Sequence, residues 1–137
     1  MNTENMLKLA DLLDNVKPAK FNMGSWCQNT DGEDTSADHV GECGTTACIA
    51  GWAVVVAIPE PIKRIEVLGD DQSGIAEFAR DFLGLTEKQT DYLFYGDWRY
   101  RIPKADRLDW DTPKRAAEAV RYLAANPRAY DLSDVEH

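Results

Sequence analysis

The chain has 137 residues, 44% hydrophobic and 28% charged, the balance of a globular protein with a core of ordinary size. Fifteen basic against twenty-four acidic residues leave a net charge of −9, which repels nucleic-acid phosphates and anionic headgroups. Direct nucleic-acid binding and membrane attachment are therefore not expected, and another protein is the expected partner.

The first segment carries Met6, Leu9, Leu13 and Val16 at helical spacing. Thr3 is the expected cap and Lys17-Pro18 the expected end, because the residue before a proline is pushed out of the α region. Phe21 to Trp26 then reads as an extended aromatic piece lying under that helix. Residues 27–44 are a loop by composition, with five carboxylates (Asp31, Glu33, Asp34, Asp38 and Glu42) and no Lys or Arg. Loops of this length inside a compact domain are usually functional or disordered. Thr45 or Thr46 is the expected cap of a helix apolar all round, to about residue 57, which makes 45–57 the buried central helix. Ala47, Gly51 and Val55 form a stripe of small side chains on it, and Pro59 and Pro61 stop it.

Residues 62–72 hold Ile62, Ile65, Val67 and Leu68 before Gly69, a cluster that reads as a short strand or an irregular turn. Ser73 is the expected cap of the next helix, and Gly84 sits where a C-terminal glycine belongs. Thr86-Glu87-Lys88-Gln89 is a capping box for a short helix ending at Leu93-Phe94. An irregular aromatic and basic stretch follows to Asp111. Thr112-Pro113, a cap followed by proline at the first helical position, opens a last helix that reaches Asn126-Pro127. These signals predict a mainly α fold: about five helices packed as one small globular domain (1–137) around the central helix, with at most one minor short strand pair.

The run Phe21-Asn22-Met23-Gly24-Ser25-Trp26, followed by Cys43-Gly44-Thr45-Thr46-Ala47-Cys48-Ile49-Ala50-Gly51-Trp52-Ala53, resembles a group of small uncharacterised proteins of bacteria and their phages. That group shares Phe-x-Met-x-x-Trp, then Cys-Gly-Thr-x-x-Cys-x-Ala-Gly-x-Ala. Leu83-Gly84-Leu85, Leu93-Phe94 and the helix led by Thr112-Pro113 extend the likeness to about two thirds of the chain. The resemblance implies a shared fold and a phage or mobile-element origin; it brings no activity with it.

Three cysteines, an odd number, and a start without a basic or apolar leader argue for reduced thiols and a cytoplasmic location. A Cys43–Cys48 bridge remains an alternative on spacing. Cys48 falls at the start of its helix, where backbone N–H groups lower a thiol pKa. With His39 as base it could act as the nucleophile of a thiol hydrolase, although an apolar helix more often simply buries such a cysteine. Cys27, His39, Cys43 and Cys48 have the element types of a tetrahedral zinc site, but their spacing matches no zinc motif, so no metal or other cofactor is expected. From Trp98 to Arg128, eight basic residues face four acidic ones, leaving −13 on the rest of the chain. Within this segment Trp98-Arg99-Tyr100-Arg101 combines charge with aromatic surface, and pairing of the arginines with Asp97, Asp106 and Asp109 is the plainer expectation. The sequence reads best as a non-enzymatic interaction or inhibitor protein. Its contacts would come from Asp31, Glu33, Asp34, Asp38 and Glu42 on one side and from Arg99 and Arg101 on the other. The alternatives are a thiol hydrolase on Cys48 and His39 and a zinc-stabilised module.

Overall fold

A computed structural model describes residues 1–24, 47–69 and 74–128. Six α-helices run through these residues: α1 (Thr3–Leu13), α2 (Ile49–Ala57), α3 (Pro61–Leu68), α4 (Ile75–Leu83), α5 (Glu87–Phe94) and α6 (Pro113–Ala125). Short 3₁₀ turns span Pro18–Lys20, Asp97–Arg101 and Lys104–Asp109. The fold is mainly helical, with one helix more than the sequence signals imply. The acidic residues Asp31, Glu33, Asp34, Asp38 and Glu42 lie outside the described residues, as do the Ser73 cap and the Thr45 and Thr46 caps.

The start of α1 shifts by one residue from expectation. Asn2, not Thr3, is the cap, and its side chain accepts from Asn5 N–H at 3.0 Å. In α2 the helix starts at Ile49, with Cys48 at the cap position. Ala47 therefore lies outside the helix, and the stripe of Ala47, Gly51 and Val55 is not continuous. Ala47 makes instead a single parallel bridge with Phe21, in which Asn22 N–H donates to the Ala47 carbonyl at 3.0 Å and Ala47 N–H to the Lys20 carbonyl at 3.1 Å. Among the described residues this isolated bridge is the whole of the β pairing, and no strand forms.

Of residues 62–72, expected as a strand or turn, 70–72 lie outside the described residues and 62–68 belong to α3. Pro61 occupies its first turn, where a missing N–H costs nothing. The helix turns Ile62 and Val67 outward and buries Arg64, which is 2% exposed. Arg64 donates to the carbonyls of Ile58 at 2.7 Å and Pro59 at 2.9 Å. It thereby satisfies acceptors just past the C-terminus of α2, where a cation also suits the helix dipole.

The end of α1 also differs from expectation, since the helix stops at Leu13 with Asp14 at its C-cap, ahead of Lys17-Pro18. The boundary signals of α4, α5 and α6 hold. Gly84 ends α4 in the left-handed region at φ 67°, and a Cβ there would stand 3.0 Å from the backbone N of Asn2. Thr86 and Gln89 form the reciprocal capping box of α5. Thr112 caps α6 through Arg115 N–H, with Pro113 at the first position. The core runs through α1, α2, α4, α5 and α6, and α2 is buried along most of its length. No helix among the described residues is long and apolar enough to cross a membrane.

Candidate functional site

Gly96, at φ 81°, turns the chain sharply out of α5 into the 3₁₀ segment Asp97–Arg101. A Cβ at Gly96 would press on the Trp110 ring at 3.2 Å, and the left-handed backbone there also favours glycine. Trp98 is buried beneath, 5.4 Å from Trp110 between ring centroids and tilted by 58°. Its indole Nε1 is buried with no hydrogen-bond partner among the described residues.

The arginines of this stretch do not pair with the local aspartates. Neither Arg99 nor Arg101 forms an ion pair among the described residues, and Asp109 is taken by Arg115 at 3.1 Å. Asp97 feels Arg99 only at a distance; burial and then Asp91 push its carboxyl above the ordinary value, against the pull of Arg99. The guanidinium groups lie over aromatic faces instead. Arg99 stands 4.9 Å from the Tyr100 centroid and 5.4 Å from that of Trp110. Arg107 approaches Tyr100 from elsewhere at 5.2 Å, and Arg101 covers Tyr122 of α6 at 4.5 Å and donates to its hydroxyl. Arg107 also holds the turn's shape, donating from Nε to the carbonyls of Ile102 at 2.9 Å and Arg99 at 3.1 Å. Each such stack is worth about 0.5–1 kcal/mol at an exposed site. The outcome is a half-exposed face of alternating guanidinium and ring surfaces.

Beside this face a recess of about 210 Å³ opens between α5, the 3₁₀ segment and α6. Tyr92, Trp98, Arg101, Arg115, Glu118 and Tyr122 contribute to its walls. Sequence reasoning found Arg99 and Arg101 from their aromatic context. It missed Tyr92, Arg115 and Tyr122, which reach the same place from other helices and carry no local signal.

Cys48 lies elsewhere, in the core, and is 1% exposed. Burial pushes its thiol up to about 11, while the first-turn amides of Gly51 and Ala50 pull the other way without reversing it. A thiol that is protonated at neutral pH and shut away from solvent is a poor nucleophile. Cys27, His39 and Cys43 lie outside the described residues, and with them the proposed base and three of the four zinc candidates. Among the described residues no three metal-ligating side chains come together.

No protein-family model matches the chain, and neither a curated protein nor a solved structure is significantly similar to it.

Proposed function

We propose that this chain is a non-enzymatic interaction protein, encoded by a phage or other mobile element and acting in the cytoplasm. It holds a protein partner through its charged surface. The observation that carries this reading is the face built from Arg99, Tyr100, Arg101, Trp110 and Tyr122, whose guanidinium groups rest on rings rather than on carboxylates. Trp, Tyr and Arg are the residues most enriched where binding energy concentrates in protein interfaces, because they bury large rigid surfaces and still offer donors. Such arginines are already desolvated on one side, so docking a partner removes less water from them. The acidic residues Asp31, Glu33, Asp34, Asp38 and Glu42 supply the second contact of the proposal. A net charge of −9 makes a protein a better partner for this face than a nucleic acid.

Affinity capture from the lysate of a bacterial host tests it with three forms of the protein: the parent, Arg99→Glu with Arg101→Glu, and Lys8→Ala, an exposed residue of α1 that is no part of this face. A protein held by the parent and by Lys8→Ala but lost by the double variant supports the reading. A protein held equally by all three, or nothing held by any, removes it. Rapid alkylation of Cys48 in the native protein would instead favour thiol chemistry, and one equivalent of zinc per purified chain a metal-stabilised module.

A further inference from the structure

The recess between α5 and α6 has chemistry of its own. Tyr92 is 1% exposed, yet its hydroxyl makes no hydrogen bond with any described residue. It lies within electrostatic reach of Arg101 and of Tyr122, both of which share the recess, and burial holds it protonated far above neutral pH. Among the described residues only the Trp98 Nε1 is a fully buried polar side-chain atom without a partner, so the Tyr92 hydroxyl meets the open recess and can donate to what enters it. Arg101 is the second donor: it is stacked on Tyr122 and donates to that hydroxyl, yet it has no ion pair among the described residues. The neighbouring cation, Arg115, is already shared between Asp109 at 3.1 Å and Glu118 at 3.3 Å. Ile102 and Ala119, both buried, complete an apolar side.

One guanidinium without a counter-ion and one neutral hydroxyl suit a single negative charge better than a dianionic phosphate. A planar carboxylate matches the guanidinium fork with two parallel hydrogen bonds. The volume admits about one ring, since a dry cavity of about 150 Å³ accepts benzene. We propose that this recess binds a carboxylate carried on a single planar ring. Arg101 and the Tyr92 hydroxyl hold the carboxylate, and the ring lies against Trp98, Ile102 and Ala119. The inference stands apart from the interaction reading, because its test needs only the purified protein and a small molecule.

Phenylacetate is the probe and phenylacetamide its uncharged counterpart. Thermal melts and NMR titrations follow both, with the Tyr92 ring signals identified through Tyr92→Phe. Phenylacetate should raise Tm saturably and move those signals, and phenylacetamide should bind at least about tenfold more weakly. Arg101→Gln should weaken phenylacetate binding by about tenfold, the scale of one lost charge-assisted pair. Tyr92→Phe removes an unpaired hydroxyl, so it should melt no lower than the parent and still bind several-fold more weakly. That variant keeps the test decisive if Arg101→Gln folds poorly. Equal affinity for acid and amide, full binding by Tyr92→Phe, or no saturable response up to about 10 mM overturns the proposal.

Discussion

A thiol at the head of a helix feels two opposing influences, and Cys48 shows which prevails. The amides of the first turn favour the thiolate, but the side chain sits in the core and desolvation dominates. Its folded pKa of about 11 lies above the ordinary 9.0, so the stability it contributes is fully present below pH 9 and is lost as pH rises through about 11. Thermal melts across that window should fall more steeply for the parent than for Cys48→Ala; parallel curves would mean the thiol is not buried as described. At neutral pH, Cys48→Ser should cost less than about 1 kcal/mol, because a hydroxyl at the cap position accepts from the first-turn amides of Ala50 and Gly51. Denaturant unfolding measures this directly, and a loss of about 3 kcal/mol or more would contradict it.

Among the described helices, α3 is the one whose buried residue is a cation, Arg64. The buried guanidinium of Arg64 satisfies the carbonyls of Ile58 and Pro59. Arg64→Met keeps the stem and removes the donors, leaving acceptors unpaired at a cost of about 1–3 kcal/mol. A denaturant midpoint equal to the parent's would show that water replaces the arginine without penalty. The same residue explains why α3 escaped a reading of the sequence. Apolar periodicity finds helices that bury apolar stripes, whereas this one exposes Ile62 and Val67 and buries a cation. Elements whose ends carry their own chemistry were legible: the Thr86–Gln89 box, Gly84 after α4, and Thr112-Pro113 before α6. Caps with competing candidates were legible only to within a few positions, as Asn2 and Cys48 show. The candidate site divides in the same way. Arg99 and Arg101 announce themselves through adjacent aromatic residues, but Tyr92, Arg115 and Tyr122 join them only because α5 and α6 pack beside that turn.

Across the whole molecule, α1 and α6 make the most extensive helix contact, and a charged clasp marks it. Arg121 reaches Asp14 at 2.6 Å and Asp11 at 2.9 Å. Its hydrogen bond to Asp14 holds that carboxyl below its ordinary value, so the contribution is present above pH 3.8 and disappears as pH falls through the lower folded value. The pair is largely exposed, and Arg121→Ala should cost no more than about 1 kcal/mol at neutral pH. The variant and the parent should converge in acid and at high salt; a difference that persists in both would mean Arg121 acts through packing alone.

That clasp joins residues 107 positions apart in the chain. During synthesis α1 leaves the ribosome long before the helix that covers it exists, and at about 5–20 residues per second the interval is several seconds or more. Through that time Met6, Leu9 and Leu13 lack the cover of α6, and among the described helices α2 and α4 are the other main neighbours of α1. Until α6 arrives those apolar side chains stay open to proteases and chaperones, and a stop codon ahead of Pro113 would leave them so permanently.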